Sequence, residues 1–444
     1  MRAVPEDPDA GTDPGYDPAA EVVGLTSDLI RIDTSNYGDD SGPGERAAAE
    51  HVAGLLDEVG IASELHELAP GRTQLVARWG SGAGDALLVH GHLDVVPAQA
   101  SEWRVPPFSG EVRDGYVWGR GAVDMKDFDA MVLSVVRARA RAGADPARPV
   151  VLCFTADEEA GGAAGADPLV REHPDLFEGC TEAVGEVGGF SVPVRGRRVY
   201  LIESAEKGMA WLRLTARGRA GHGSMINHDN AVTTLAAAVA RIGSHDWPVR
   251  LTPTMEVLLA SVGELAGVEA TPANAETLVE EFGGAARMLG AVLRNTVNPT
   301  MLGGGYKVNV VPSEATAHVD GRFLPGCEDE FFDTLARLCG DAVTVEAVAH
   351  QPPWEMPYDG ALVDAMTRSL LAEDPEALVA PYLMSGGTDA KYFGRLGIRT
   401  YGFAPLRLPD DLDFTALFHG VDERVPTEAL EFGTRVLDRF FDLV

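Results

Sequence analysis

The stretch ALLVHGHLDVV, residues 86–96, has the apolar character of a buried β-strand and then carries His90, His92 and Asp94. In an extended chain, side chains two residues apart share a face, so we expect these three polar groups on one side of the strand. A buried carboxylate needs a cation or strong hydrogen-bond donors beside it. The pattern therefore indicates an imidazole oriented by an acid, as in a metal ligand or a catalytic base. The open alternative is a strand end at which the His and Asp side chains reach solvent.

Helices and strands alternate on both sides of this stretch. GERAAAEHVAGLLDEVGI and DMKDFDAMVLSVVRARARAG have the apolar spacing of helices, and RPVVLCFTADEEAGG is a buried strand that ends in acids and glycines. Alternation of this kind predicts an α/β fold built on a mostly parallel sheet. Such sheets bind ligands at the carboxyl ends of their strands.

The pattern changes from about residue 208. MAWLRLTARGRAGHGS and EATAHVDGRFLP alternate apolar and polar residues like antiparallel strands, and the helical segment NAVTTLAAAVARI lies between them. After about residue 348 the α/β pattern returns and ends in an amphipathic helix. The sequence thus predicts a discontinuous α/β domain with a smaller α+β domain inserted into it.

Composition excludes several classes of partner. The 444 residues are 45% hydrophobic and 23% charged, and the formal net charge is −32. This charge repels phosphate backbones and anionic lipid surfaces, so we expect no nucleic-acid partner and no membrane partner. No apolar run is long enough for a membrane helix, and the N-terminal residues lack the pattern of a signal peptide. The four cysteines include no C-x-x-C pair, which favours a reducing, cytoplasmic location.

Four further stretches place acids or a histidine where a strand ends or where glycines crowd. They are GRGAVDMKD with Asp124, TADEEAGG with Glu158 and Glu159, GEVGGF with Glu186, and FHGVDERV with His419. With Glu158 set aside, they and His92 supply two imidazoles and three carboxylates, from His92, Asp124, Glu159, Glu186 and His419, a set that suits a pair of divalent ions. Glu158 is then a surplus acid beside a ligand, where a general base would stand.

Each of these pieces has an ordinary explanation when it is taken alone. Glu-Glu pairs are common on solvated faces, an Asp among glycines often caps a turn, and a His before Gly is often an exposed loop residue. The prediction of a metal centre therefore depends on all of them occurring in one chain in this order.

Six motifs resemble, in order and spacing, a known family of zinc metallopeptidases. GHLDVVP, GRGAVDMKD, DEEAGG, GEVGG, GGTDAKYF and HGVDERV are similar to the motifs of aminoacylase, succinyl-diaminopimelate desuccinylase, glutamate carboxypeptidase and carboxypeptidase S. The resemblance spans residues 22–440. It implies two divalent ions per chain, with zinc expected and cobalt or manganese also suited to oxygen and nitrogen ligands.

The resemblance also implies a role for each residue of the centre. One ion would be held by His92 and Glu186 and the other by Glu159 and His419, with Asp124 as the bridge. Asp94 would orient the imidazole of His92, and Glu158 would be the general base. His90 matches no functional residue of the family, and we expect it to pack in the core.

The inserted domain resembles the lid and dimerisation domain of that family. In dimeric relatives a lid histidine that matches His222 reaches the partner's active site and polarises the scissile carbonyl. Asn309, Arg322, Gly387 and Thr388 match residues that hold a substrate carboxylate. MAWLRLTARG resembles the edge strand through which such lids pair, so we expect a homodimer through the lid. The alternative is a monomer whose long lid closes over its own site.

Two positions depart from the family pattern. Relatives often have arginine after GTDA, where this chain has Lys391, and GEVGG replaces the commoner glutamate-glycine order around Glu186. The role of Lys391 stays open.

These observations predict three segments of different character. Residues 21–207 and 348–444 form the catalytic metal-binding domain, residues 208–347 form the lid, and residues 1–20 form a disordered acidic tail. The segment 251–300, which contains the helical pattern AETLVEEFGGAARMLGAVLRN, is assigned to the lid and makes it long.

The predicted function is a binuclear metal-dependent hydrolase. It cleaves an amide or peptide bond next to a free carboxylate, in N-acyl amino acids or short peptides, by a metal-activated water molecule with Glu158 as general base. The competing hypothesis is a non-catalytic scaffold or binding protein that keeps the fold. The motifs leave aminoacylase, dipeptidase and desuccinylase activities open, because they do not describe the acyl pocket.

Overall fold

The computed structural model describes residues 16–39, 41–81 and 84–444. Its helices are α1 Val22–Arg31, α2 Arg46–Asp57, α3 Lys126–Ala142, α4 Ala166–Glu172, α5 Ala231–Gly243, α6 Pro253–Ala266, α7 Ala275–Glu280, α8 Ala286–Gly290, α9 Glu328–Cys339, α10 Ala361–Glu373, α11 Ala390–Phe393 and α12 Thr427–Leu443. Its strands are β1 Ser63–Ala69, β2 Arg72–Trp79, β3 Ala86–His92, β4 Glu111–Arg113, β5 Tyr116–Trp118, β6 Val150–Thr155, β7 Cys180–Gly185, β8 Phe190–Val194, β9 Arg197–Glu206, β10 Gly208–Arg217, β11 Gly221–His222, β12 Thr296–Gly304, β13 Val310–Val311, β14 Glu314–Phe323, β15 Val343–Gln351, β16 Trp354–Glu355, β17 Leu378–Met384, β18 Arg399–Gly402 and β19 Arg424–Pro426.

The main domain is built on a large sheet. Within the described ranges it has ten strands, in the order β1-β2-β6-β3-β7-β18-β9-β16, and β8 and β17 also pair with β9. The central strands β6, β3, β7 and β18 are parallel neighbours, whereas the pairs β1–β2, β2–β6 and β9–β16 are antiparallel. The prediction of an α/β fold with a mostly parallel sheet is confirmed.

Alternate residues of the central strands face two hydrophobic clusters. Leu87 and Val89 of β3 belong to the larger cluster, which also contains apolar residues of α1, α3 and α12. Leu88, between them, belongs to a second cluster with residues of α4 and α11. Because side chains alternate between the faces of a strand, β3 must be apolar on both faces to be covered by helices on both sides. That requirement explains its nearly continuous apolar sequence.

Three parallel strands end at one edge of the sheet. β3 ends at His92, β6 at Thr155 and β7 at Gly185, and β3 pairs in parallel with both of the other strands. The acids that the sequence places after β6 and β7 are therefore brought beside the histidine at the end of β3, as expected for parallel sheets.

The inserted domain is an antiparallel sheet in the order β12-β14-β10-β15, with its core formed together with α5 and α9. In β14 every second residue is buried, as the alternating sequence predicts. β15 continues the sheet to Gln351, past the predicted boundary at residue 347. β10 lies inside the sheet, between β14 and β15, so the prediction that MAWLRLTARG is an edge strand is wrong. The edges are β12 and β15.

The helices α6, α7 and α8 pack on the main domain. Leu258, Leu278 and Leu289 belong to the same cluster as the core of the large sheet, and α6 contacts β17. At the start of α6, the backbone N–H of Thr254 donates to Glu355 Oε1 at 2.8 Å. The assignment of segment 251–300 to the lid is therefore wrong for these helices. Their apolar spacing predicted burial, but it did not specify which domain buries them.

The predicted acidic tail is described only in part. Residues 1–15 lie outside the described residues. Residues 16–20 contact the main domain, because the Tyr16 hydroxyl donates to Asp438 of α12 and the Ser134 hydroxyl of α3 donates to the Pro18 carbonyl oxygen. The prediction of disorder is corrected for residues 16–20. In the part of the chain that the structure describes, no helix combines the length and the apolar composition needed to span a membrane.

We predict that Leu258→Ala destabilises the main domain by about 2–5 kcal/mol, because Leu258 is fully buried and its truncation leaves a cavity. The neighbouring Val257 is 43% exposed, so Val257→Ala serves as the control and changes stability by less than about 1 kcal/mol. Hydrogen exchange followed by mass spectrometry should show faster exchange in β17 of the Leu258 variant and unchanged exchange in β10. Faster exchange in β10 alone would show that these helices belong to the lid.

Candidate metal centre

The first group of candidate ligands lies at the ends of β3 and β7. His92 Nε2 is 3.2 Å from Asp124 Oδ1 and 3.3 Å from Glu186 Oε2. The side chains of His92 and Glu186 are almost completely buried, at 1% and 5% exposure. Asp124 comes from the loop between β5 and α3, so three separate parts of the main domain meet here.

The second group shares Asp124 with the first. His419 Nε2 is 3.2 Å from Asp124 Oδ2 and 3.0 Å from Glu159 Oε2. Asp124 therefore presents one carboxylate oxygen to each histidine. Within each group the potential ligand atoms all lie within 4.8 Å of one another. This is the arrangement that a bridging carboxylate between two metal ions requires.

Glu158 lies beside the first group of candidate ligands but belongs to neither group. Its Oε2 is 4.0 Å from His92 Nε2, and its side chain is 11% exposed. Glu158 and Glu159 begin the single turn that follows β6. Their side chains diverge: Glu159 belongs to the second group, and Glu158 belongs to neither group. A free carboxylate in this position can take up and release a proton while the ligands stay in place.

Asp94 holds this turn as well as the imidazole. Its backbone carbonyl oxygen is 2.9 Å from His92 Nδ1, whereas its carboxylate is 3.6 Å away from that nitrogen. The carboxylate oxygens accept hydrogen bonds from the backbone N–H groups of Glu158 and Glu159, each at 3.1 Å. The expected orientation of His92 by Asp94 thus runs through the main chain, and the acid itself fixes the turn.

A buried ion pair joins the loops that carry Asp124 and His419. Arg120 Nη1 donates to Glu423 Oε2 at 2.5 Å, and the backbone N–H of Val123 donates to Glu423 Oε1 at 2.8 Å. Arg120 precedes Asp124 and Glu423 follows His419, so this pair brings the two loops together. His419 itself has a left-handed φ of 57° and a side chain that is 55% exposed.

Burial would raise the pKa of Asp124, but the two histidines lower it, whereas the three glutamates of the centre have raised pKa values, mainly because they are buried. Burial raises the pKa of Glu186 to about 7. Burial and the nearby carboxylate of Glu186 raise the pKa of Glu158 well above its ordinary value. Burial alone would lower the pKa of His92, but the Glu186 and Asp124 carboxylates beside it raise that pKa well above its usual range. Such a crowded set of acids fits bound divalent cations, which would compensate several carboxylates at once.

His90 faces away from the centre. Its ring is 4.8 Å from the ring of Phe393, and a Cβ atom on Gly185 would lie 2.3 Å from its Nε2. Burial lowers its pKa to about 3, so the imidazole is neutral. His90 packs in the core, as expected.

A cleft of about 700 Å³ opens beside the centre. Much of its wall is apolar, formed by Val187, Met209, Trp211, Met288, Ala291, Met384 and Phe418. Three cationic side chains also line it: Arg287, Arg322 and Lys391. The cleft therefore offers an apolar surface and positive charge next to the acids of the centre.

Of the residues expected to hold a substrate carboxylate, three line this cleft and one does not. Arg322, Gly387 and Thr388 are in its wall. The Thr388 hydroxyl donates to Glu206 Oε1 at 2.5 Å, and Arg322 makes two hydrogen bonds with Asp320, at 2.7 and 3.2 Å. Asn309 is exposed on the lid, away from the cleft.

His222 lies next to Asn309 rather than in the cleft. The two-stranded pair β11–β13 places them together, and the Gly223 backbone N–H donates to the Asn309 carbonyl oxygen at 2.9 Å. His222 Nδ1 is 2.8 Å from the Ser224 hydroxyl, and its side chain is exposed. Within one chain, the lid histidine is therefore separate from the candidate centre.

Sequence reasoning missed Arg287 and left Lys391 without a role. Arg287 lies on α8, in a helical pattern that contained no motif, and only the packing of α8 on the main domain brings it to the cleft. Lys391 was noticed because it departs from the family's arginine. It lies in the wall of the cleft, where the departure places an ammonium group instead of a guanidinium group.

Comparison with known proteins agrees with this geometry. The sequence model of peptidase family M20/M25/M40 matches residues 88–442 of this chain. The N-fatty-acyl-amino acid synthase/hydrolase PM20D1 of Xenopus tropicalis is 27% identical, over 93% of this chain and 83% of that protein. Human aminoacylase-1 is 27% identical, over 91% of this chain and 90% of its own length.

Solved structures share the fold. The M20 family metallo-carboxypeptidase Sso-CP2 from Sulfolobus solfataricus has a TM-score of 0.70 and 18% identity, covering 95% of this chain and 99% of that one. The resemblance inferred from the six motifs is confirmed. Because the family's sequence model matches most of this chain, the chain belongs to peptidase family M20/M25/M40 and is a hydrolase of that family.

Proposed function

We propose that this hydrolase uses two metal ions to cleave an amide bond next to a free carboxylate, in N-acyl amino acids or short peptides. The observation that supports this most directly is the position of Asp124, whose two oxygens each lie 3.2 Å from a different histidine. A second supporting observation is the free acid Glu158 beside the first group. The scaffold alternative has no observation in its favour, because every expected ligand and the expected base are present.

Divalent ions held by the two groups would polarise the amide carbonyl and a water molecule as Lewis acids. Glu158 would accept a proton from the attacking water and donate it to the leaving amine. His92 and Glu186 would hold one ion, Glu159 and His419 the other, and Asp124 both. We propose zinc as the ion, and cobalt or manganese would suit the same nitrogen and oxygen ligands.

The cleft suggests how the substrate is oriented. Its apolar wall, which includes Met288, Ala291 and Trp211, suits an acyl chain or an apolar side chain. A name among the relatives, N-fatty-acyl-amino acid synthase/hydrolase, describes a substrate of that kind. The substrate carboxylate would then bind a cationic group of the cleft. We propose Arg287, because it makes no ion pair with any residue in the described ranges and its guanidinium can bind a carboxylate through two hydrogen bonds, whereas Arg322 is held by Asp320 and Lys391 offers only an ammonium group.

We propose that His222 acts in the cleft of a second copy of the chain. It is exposed on the lid and does not line the cleft of its own chain. The lid also has several exposed apolar side chains. Met225, Ile226, Met301, Leu302 and Tyr306 are each at least 63% exposed, and Met301 and Leu302 belong to the edge strand β12. An exposed apolar patch at a sheet edge is a typical pairing surface. The homodimer would therefore form through β12 rather than through β10. A cytoplasmic location stays a prediction.

Glu158→Gln should abolish hydrolysis of N-acyl amino acids, lowering kcat by at least about 100-fold, because the amide cannot accept the proton. Elemental analysis should still find two divalent ions per chain, because Glu158 is outside both ligand groups. The control is Glu172→Gln, at an exposed glutamate paired with Arg171. Undiminished hydrolysis by the Glu158 variant would exclude this mechanism.

Mixing inactive Glu158→Gln chains with inactive His222→Ala chains should restore part of the activity. A heterodimer would contain one site with both residues intact, since the two come from different chains. The measurement is the hydrolysis rate after the two proteins are unfolded and refolded together, with heterodimers verified by two different tags. Heterodimers without activity would show that His222 does not act across the interface.

Arg287→Met should raise KM about 10- to 100-fold for substrates with a free carboxylate, the cost of losing a charge-assisted hydrogen bond. The KM for the matching carboxamides should not change. Arg294→Met, on the same segment but paired with Glu276, is the control. If Arg322→Met shows this selective effect and Arg287→Met does not, the carboxylate binds on the lid side, as the sequence comparison implied.

A further inference from the structure

Asn36 joins two acids behind the metal centre. This residue follows α1 and is buried, with 5% exposure. Its side-chain nitrogen donates to Asp94 Oδ2 at 2.9 Å and to Asp157 Oδ1 at 3.1 Å. Its backbone N–H donates to the carbonyl oxygen of Val95 at 2.9 Å, so both its main chain and its side chain contact the segment after β3.

These two acids hold the turn that carries Glu158 and Glu159. Asp94 accepts the backbone N–H groups of both glutamates. Asp157 starts the turn in the left-handed conformation, with a φ of 65°, and its Oδ2 accepts the Ala164 backbone N–H at 2.8 Å. The left-handed region is unfavourable for most residues, although aspartate tolerates it better than most, and contacts on both carboxylate oxygens hold Asp157 in this conformation.

Arg72 determines which way the amide of Asn36 points. Arg72 Nη2 donates to Asn36 Oδ1 at 2.7 Å, and Arg72 Nη1 donates to Glu45 Oε1 at 2.5 Å. A guanidinium can only donate hydrogen bonds, so the amide oxygen must face Arg72. The NH₂ group must then face Asp94 and Asp157, which can only accept when they are ionised. An asparagine supplies both functions at this position, and an aspartate would not.

We propose that Asn36 is a positioning residue of the metal centre, which holds Asp94 and Asp157 together so that their turn presents Glu158 and Glu159 in the required geometry. This inference rests on the proposed function, in which Glu158 is the base and Glu159 a ligand. Asn36 contacts neither the ligand atoms nor the cleft. Its effect passes through hydrogen bonds to Asp94 and Asp157 and from Asp94 to the backbone of the turn.

The test compares Asn36→Asp and Asn36→Ser with the wild-type protein. Asn36→Asp has nearly the same shape but places a third carboxylate against Asp94 and Asp157, and the repulsion should open the turn. Asn36→Ser removes the bridge without adding charge. Asn274→Asp, the same chemical change at a partly exposed residue before α7, is the matched control, because the carboxylate can still accept the Thr271 backbone N–H. Leu258→Ala controls for loss of stability, because it lies in the core away from the turn.

For both Asn36 variants we expect kcat to fall about 10- to 100-fold with little change in KM, the usual size of effect for a residue that orients a ligand. Zinc titration against a chelator should show that the ion assigned to Glu159 and His419 is bound about 10- to 100-fold more weakly, while the affinity for the other ion is kept. In a His419→Ala background, which already lacks that site, Asn36→Ser should not weaken zinc binding further. Asn274→Asp and Leu258→Ala should keep both zinc affinities.

Two results would overturn the proposal. One is a folded Asn36→Ser protein with wild-type kcat and both zinc affinities unchanged. The other is equal weakening of both ions, as general destabilisation would cause. If Asn36→Asp does not fold, the Ser variant decides alone. Zinc binding is measured without turnover, so an error in the proposed hydrolysis, revealed by an active Glu158→Gln enzyme, is distinguishable from an error in the role of Asn36.

Discussion

Negative charge buried at the carboxyl ends of β3, β6 and β7 is the constraint on which the rest of this structure depends. Parallel pairing makes these strands end at one edge, and the residues that follow them are histidine and acids. Carboxylates this close together and this far from water cannot all stay ionised without cations. The fold therefore makes sense as a frame that gathers acids for divalent ions, at a cost in stability that the ions would offset.

Arginines compensate the acids on the protein side of the centre. Arg72 pairs with Glu45 and lies beside Asp157, and Arg120 pairs with Glu423 behind Asp124 and His419. Both guanidinium groups are buried, and both reach more than one part of the chain. These pairs position the loops and turns of the centre from the side that faces away from the cleft. The buried arginines compensate acids behind the centre, and divalent ions would compensate those in front.

The cleft is composed of parts from distant segments. The main domain supplies the candidate metal-binding acids and Lys391, the lid supplies Trp211 and Arg322, and α8 supplies Arg287 and Met288. The helices α6 to α8 are inserted between lid strands in the sequence yet pack on the main domain. A change in the position of the lid would therefore move Trp211 and Arg322 relative to the centre, while Arg287 stays with the sheet.

The sequence by itself determined the class of fold, the order of the candidate ligands and the family. The apolar run of residues 86–96 predicted β3, and the order of the motifs predicted which acids follow which strand. Both are local properties of the sequence. Only the tertiary structure decided that β10 is an interior strand, that α6 to α8 join the main domain, that Arg287 faces the cleft and that Asn36 bridges Asp94 and Asp157. The physical reason is that an amphipathic pattern states that a face is buried but not what buries it. The partners of a strand or a buried amide come from residues far away in the chain, and no local signal identifies them.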